Sequence, residues 1–472
     1  MRVTRREFLK STTCAAFAAG IGGGAGMLAA RAAEAAAPVL RAGESLARLA
    51  PGDYPETRVW SYGNSVPGPM IRLRQGDRLT RRFENALPQP STVHWHGIRI
   101  DNAMDGVPGV TQDAVPVGGS FDYDFVLPDA GTYWYHPHNR TWEQLARGLY
   151  GPLIVEEDDP PEVDRDEVLV LDDWRLTDQA QIHEDSLGAM HDWAHAGRIG
   201  NWITVNGKGE SRLSVKRNER LRLRLINAAN ARIFYLSLEG ATAWTVALDG
   251  QPLETPVPAE RLSLGPAQRV DLIVDVTAAD GGEALLISHE QKRDGEERYA
   301  ITGFPVSGTA RGAALPAPEP LPPNPIPALG DLNAARKEVL RMEGGAMGRM
   351  QGAMMGGGFM HMRDLVGRGK VWAFNGQADM PDEPWITVAR GETVRIAMTN
   401  DTAWPHAMHL HGHHFRQIGT TGTGPLRDTL LVGQGETAEI GFVADNPGDW
   451  LFHCHMVEHS AGGMMTWLRV EG

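Results

Sequence analysis

Residues 450–465, WLFHCHMVEHSAGGMM, concentrate side chains that bind metals: Cys454 lies between His453 and His455, with His459 and Met464 just downstream. On a strand, successive side chains point to opposite faces, so Cys454 would face one way and its two histidine neighbours the other. One tripeptide can therefore reach two metal sites. A thiolate, an imidazole and a weak thioether are the ligands of a blue-copper centre, and Cys454, His459 and Met464 offer them in order. The flanking histidines then serve a second cluster behind the strand. The two sites are joined through the Cys454 backbone, a covalent path suited to electron transfer. The only other cysteine, Cys14, falls in an N-terminal leader, which leaves Cys454 without a disulfide partner.

Four His-X-His doublets supply that second cluster: His94/His96, His136/His138, His409/His411 and His453/His455. On strands, each doublet puts both imidazoles on one face, where neutral rings can ligate clustered metals. Together they suit three metal ions that each take two or three nitrogens and keep positions open for a small ligand. Two doublets come from each end of the chain, so the cluster is expected at the interface of a first and a third domain, with a middle domain holding them together. His406, three residues ahead of His409, completes the blue-copper set. His413 and His414 fall outside the alternation and read as bystanders.

The elements that must position these residues are strands. Apolar and polar residues alternate between Gly, Pro and Asn turns, and no long window sustains helical periodicity, which reads as antiparallel sandwich. One unit recurs three times. GDRLTRRFENALPQPSTVHWHG followed by VPVGGSFDYDFVLPDAGTYWYHPH in the first third matches GETVRIAMTNDTAWPHAMHLHG followed by LLVGQGETAEIGFVADNPGDWLFHCH in the last. The middle offers NERLRLRLINAANARIFYLSLEG and LSLGPAQRVDLIVDV, with the same strands but no histidine pair. These repeats divide the chain into domains at 38–157 and 158–306, a proline-rich linker and the start of domain 3 at 307–341, a methionine-rich segment at 342–362, and domain 3 at 363–472. The linker, RGAALPAPEPLPPNPIPALG, should be extended and semi-rigid.

The first 37 residues read as a cleavable twin-arginine export signal: TRREFLK, an apolar Ala/Gly stretch, then small residues. The stretch is too glycine-rich to make a comfortable membrane span. A formal net charge of −14 argues against a nucleic-acid partner.

The motifs HWHG at His94, HPH at His136, HxxHLHGH at His406 and HCHxxxHxxxxM at His453 resemble those of the multicopper oxidases, in order and across the whole mature chain. The resemblance implies an all-β chain of three consecutive cupredoxin-like Greek-key β-sandwich domains holding four copper ions. The type 1 copper would take His406, Cys454, His459 and Met464, and the type 2 copper His94 and His409. Of the type 3 pair, one ion would take His96, His136 and His455, and the other His138, His411 and His453. The activity implied is one-electron oxidation of a donor at type 1 copper coupled to four-electron reduction of O2 to water. Asp105, in MDGVPG, resembles the family's acid near the cluster, and Glu458 is a second acid for proton supply.

The segment MEGGAMGRMQGAMMGGGFMHM stands where periplasmic cuprous oxidases of bacterial copper resistance carry a Met-rich insert. Its thioethers, on Met342, Met347, Met350, Met354, Met355, Met360 and Met362, are soft donors that suit Cu(I) as substrate. Four positions depart from that pattern. Thr402 and Trp404 replace an Asp and a Met ahead of the first type 1 histidine, Ala407 replaces a proline, and Ser460 replaces an acid after His459. The expected protein is thus a periplasmic, monomeric copper oxidase conferring copper tolerance, with Cu(I) or small phenolic and aromatic amine donors. The alternatives are a laccase acting mainly on phenols and a copper-sequestering protein.

Overall fold

The computed structural model describes residues 37–292, 294–420 and 422–472. The export signal expected at 1–37 lies, but for Ala37, outside them. Among the described residues no helix is long and apolar enough to cross a membrane.

The alternating segments form strands, and the strands pair into three successive sandwiches. In the first, one sheet orders Thr57–Tyr62, Val39–Ala47, Arg78–Asn85 and Ser120–Val126, and the other orders Ile71–Arg74, Gly151–Glu156, Gly131–His136 and His94–His96. In the third, Gly448–Cys454 lies between His406–Leu410 and Met465–Glu471, with Ile386–Ala389 and Thr429–Val432 at the sheet's edges. Its opposing sheet runs from Trp372–Phe374 through Arg336–Gly344 and Thr393–Asn400 to Thr437–Val443 and beyond. The middle sandwich is built around Arg220–Asn227, held between Arg165–Trp174 and Arg269–Val276.

Period-two alternation explains how each ligand strand serves a core and a site together. In His94–His96, Trp95 turns into the first core against Tyr123, Phe125 and Tyr135, which leaves both histidines on the other face. Leu410 does the same for His409 and His411, and is fully buried in the third core. Burying an aromatic or aliphatic side chain of this size contributes roughly 1.5–3 kcal/mol, so the core-facing residue fixes the register that aims the histidines.

The proline-rich stretch forms neither helix nor strand, as expected, yet it is fastened along its length. Leu321 packs on Val246 and Ile273, and the Asn324 side chain accepts from Ala130 N and donates to Ala130 O. The methionine-rich segment is ordered. Residues Gly352–Met355 and Gly358–His361 pair as a hairpin, and a short helix, Met362–Val366, follows. Met350, Met355 and Met360 pack against Ala353, Leu365, Ala373 and Ala378. Met342 belongs to the strand Arg336–Gly344 of the third sandwich and is fully buried in its core, so it is a core residue and no ligand for incoming copper. The register decides this: Met342 pairs with Phe374 on one side and Asn400 on the other.

Candidate metal centre

Two ligand groups lie on opposite faces of one strand. His453 and Cys454 end the strand Gly448–Cys454, and His455 N extends the ladder by donating to Ala407 O. On one face, His406, Cys454 and His459 converge. The His406 and His459 Nδ1 atoms are 3.0 Å apart and lie 3.6 and 3.8 Å from Cys454 Sγ. With metal–nitrogen bonds of about 2.0 Å and a metal–sulfur bond of about 2.3 Å, ligands of one trigonal ion would sit about 3.5–3.7 Å apart. The group fits one ion.

The outer nitrogens of both rings are held from behind. His406 Nε2 bonds Thr402 Oγ1 at 2.8 Å, and His459 Nε2 donates to the His195 carbonyl of the middle sandwich at 2.7 Å. Thr402 therefore orients the His406 ring. Met464, fully buried, is tied to both partners by its backbone: its N donates to His459 O and its carbonyl accepts from Cys454 N. Burial pushes the Cys454 thiol up to about 12 and the His459 ring down to about 4. The first favours the thiol and the second the neutral ring, so a bound cation must supply the field that ionises the sulfur.

On the other face the eight doublet histidines meet, and their arrangement is near-symmetric. His94 stacks on His411 with centroids 4.0 Å apart, and His96 stacks on His409 at 3.8 Å. Three groups emerge: His94, His96 and His409; His96, His136 and His455; and His138, His411 and His453. In the last two, His136 Nε2 lies 3.3 Å from His455 Nε2, and His411 Nε2 lies 3.2 Å from His453 Nε2. Two ligands of one tetrahedral ion sit about 3.3 Å apart. Burial pushes the rings of His96, His136, His411, His453 and His455 well below the usual 6.5, and His138 to about 3, so all six are neutral. His94 Nε2, His96 Nδ1, His138 Nε2 and His409 Nε2 are buried with no hydrogen-bond partner among the described residues. Unpaired buried nitrogens are costly, and metal ions would satisfy them.

The opposite nitrogens of these rings fix which atom is free. His94 Nδ1 donates to the Asp105 carbonyl at 2.8 Å, and His411 Nδ1 donates to Asp105 Oδ2 at 2.8 Å. The structure thus brings Asp105 to the cluster. Glu458 does not arrive there: its Oε1 accepts from Asn230 at 2.7 Å, and the hydrogen bonds of the described residues give it no ligand histidine. Burial raises its carboxyl, with Asn230 and Arg198 partly opposing. Ser460 reaches the cluster instead, its Oγ 3.4 Å from His453 Nδ1. His413 and His414 stay outside it, bonded to the His411 carbonyl and to Gln251.

The reading of the sequence missed Asp428. Its carbonyl accepts from His409 Nδ1 at 2.9 Å, its Oδ1 lies 3.2 Å from His96 Nε2, and Arg269 of the middle sandwich grips both carboxylate oxygens at 2.9 and 2.6 Å. Burial works against the ionised carboxylate, but Arg269 and the histidines outweigh it and hold the group well below 3.8. Arg269 also donates to Thr132 O, so one guanidinium spans all three sandwiches. This explains the glycine of HWHG: Gly97 has φ +88°, and a Cβ there would meet Arg269 Nη2 at 2.3 Å and Asp428 Oδ2 at 2.6 Å. The only hint in the sequence is an acid at the mouth of an apolar strand, RDTLLV.

Multicopper oxidase family models match residues 46–160, 165–301 and 358–472. The multicopper oxidase MmcO of Mycobacterium tuberculosis is 30% identical over 526 residues, covering 98% of this chain and 96% of the relative. The chain is a multicopper oxidase. The copper resistance protein A homolog of Pseudomonas syringae pv. tomato is 26% identical to the oxidase over 88% of this chain and 91% of the relative. The crystal structure of a multicopper oxidase from Pseudomonas thermotolerans superposes with a TM-score of 0.79 at 34% identity, over 92% of this chain and 98% of that one. The cupredoxin-like sandwich fold follows.

Proposed function

We propose that this oxidase takes electrons from Cu(I), releasing it as Cu(II), and delivers four of them with four protons to one O2 to form two waters. When bound, four resident copper ions would store single electrons and reduce O2. His406, Cys454, His459 and Met464 would hold the first, His94 and His409 the second, and His96, His136 and His455 with His138, His411 and His453 the remaining pair. Asp105 is the acid that would pass protons inward, because its Oδ2 already accepts from His411 Nδ1. Glu458 is set aside for that task. The remaining proposals are export by the twin-arginine route, action as a periplasmic monomer and a role in copper tolerance.

The observation that supports Cu(I) as donor is where the methionine segment leaves the third sandwich. Trp372 lies against both outer histidines, 4.5 Å from the His459 ring and 5.2 Å from that of His406. Gly345, which opens the methionine segment at φ +72°, sits directly on this tryptophan, and a Cβ there would fall 2.0–2.8 Å from the Trp372 ring carbons. The segment that carries the thioethers therefore leaves the sandwich from a tryptophan packed on both ligand rings. The test is O2 uptake by copper-loaded protein with Cu(I) and with a phenol, before and after replacing Met347, Met350, Met354, Met355 and Met360 by Leu. Cu(I) turnover should fall several-fold relative to phenol turnover; an unchanged ratio would remove the segment's role and favour a phenol oxidase. Met342 is left in place because its loss would damage the core.

A further inference from the structure

The middle sandwich sends one short helix, Met190–Ala194, over the blue-copper ligands, and it ends on His195. The His195 carbonyl is the group that holds His459 Nε2, so whatever binds at the His195 side chain lies one residue and one hydrogen bond from a copper ligand. His191 stands one turn earlier, and the two imidazoles stack with centroids 4.1 Å apart and planes 9° from parallel. His195 Nδ1 donates to His191 O at 2.8 Å, which leaves its Nε2 as the free nitrogen. The His191 side chain is 78% exposed. The neighbouring acid is already committed, since Asp192 is clamped by Arg175 at 2.6 and 3.1 Å, and this clamp anchors the helix.

The methionine segment is stapled to this same helix. Ala346 N donates to Ala194 O at 2.6 Å, and Trp404 Nε1 donates to Ala346 O at 3.2 Å, while the Trp404 ring meets the His195 ring at 5.4 Å. Met347 is therefore next in chain to a residue bonded to the one before His195. It is 76% exposed and held at φ +65°, so its thioether is open to solvent beside the staple. Two imidazoles and a thioether form a borderline-to-soft set that suits a cuprous ion. Turning the exposed His191 about its side-chain bonds opens the stack into a bite for one ion.

We propose that His191, His195 and Met347 form a docking site for substrate Cu(I) at the outer end of His459. It rests on the reading of Cu(I) as donor and says where that donor binds. Each ion held there gives up one electron and leaves as Cu(II), and four such events balance the uptake of four electrons and four protons by one O2.

The test uses copper-loaded protein and Ag(I), a redox-silent stand-in for Cu(I), with bound silver measured at equilibrium alongside KM for Cu(I). His191→Ala, His195→Ala and Met347→Leu should each weaken the tightest exchangeable Ag(I) by about tenfold or more, a loss of roughly 1.4 kcal/mol. KM for Cu(I) should rise in parallel, and retained blue absorption would show that fold and resident copper are intact. If all three variants bind Ag(I) as the parent does, the site is wrong, even where Cu(I) is still oxidised. If Ag(I) binding is lost in the variants but the parent oxidises only phenols, the site stands as a cation site and the reading of the donor falls. A rise in KM for a phenol with Ag(I) binding unchanged would make the stacked rings an aromatic platform and overturn the proposal.

Discussion

Two faces buried between sandwiches show opposite solutions to the burial of polar side chains. The strand Arg220–Asn227, RLRLRLIN, turns Leu221, Leu223 and Leu225 into the middle core and lays its arginines on the other face. There each guanidinium meets carboxylates: Arg220 with Asp275, Arg222 with Glu157 and Asp271, Arg224 with Asp166 and Asp271. Arg224 and Asp271 also reach Thr132 of the first sandwich. Charges and hydrogen bonds close within the chain. Between the first and third sandwiches, by contrast, like groups face like groups, with ring nitrogens 3.2–3.3 Å apart and others unpaired. No group among the described residues satisfies the unpaired nitrogens. One interface is complete as folded, and the other is built to be completed by cations.

The largest effect should come from cutting the path between the two copper faces. Cys454→Ser in metal-filled protein should lose its blue absorption and drop O2 consumption to background; turnover at the parent's rate would refute the assignment. Next comes the complete interface. Arg222→Met strips the buried Glu157 of the guanidinium that hydrogen-bonds it and leaves Asp271 with Arg224 as its one arginine, which should cost about 3–5 kcal/mol in denaturant unfolding while the folded fraction keeps its copper. Loss of copper with stability unchanged would mean that the two interfaces are not separate devices.

Asp428→Asn probes where they meet. Partners behind metal-bound histidines are typically worth about 10–100-fold in metal affinity, so copper should be retained less tightly by that factor in competition with a chelator. An unchanged affinity would reduce Asp428 to a strut for Arg269. The smallest effect concerns pH in the copper-free protein. Burial holds the rings of His138 at about 3 and His459 at about 4, below their usual 6.5. Rings that are neutral when folded take up protons when unfolded, so their contribution is present above pH 6.5 and lost as pH falls toward 3–4. The Tm should fall across that window, and less so once copper occupies the site. Equal falls with and without copper would place the sensitivity elsewhere.

Much of the site was legible because strand alternation and motif spacing are local. The expected ligand groupings reappear as spatial clusters, and Asp105 reaches His411. What was not legible depended on residues far apart in the chain. Asp428 and Arg269 gain their role only when three sandwiches close on one point, and neither sits in a motif. Glu458 sits beside a ligand in sequence, yet the helix Val457–Ala461 turns its carboxyl toward Asn230, because neighbours on a helix point in different directions. Met342 looked like part of the methionine segment until strand pairing drew it into a core.

By itself the sequence determined the candidate ligand residues, their order and the β architecture, since these follow from residue chemistry and from a two-residue period read along a few positions. Tertiary structure alone decided which nitrogen of each ring is free, which acid stands behind the cluster, and that a helix of the middle sandwich covers the outer edge of His459. The reason is physical: a hydrogen bond between residues hundreds of positions apart is set by how the sandwiches pack.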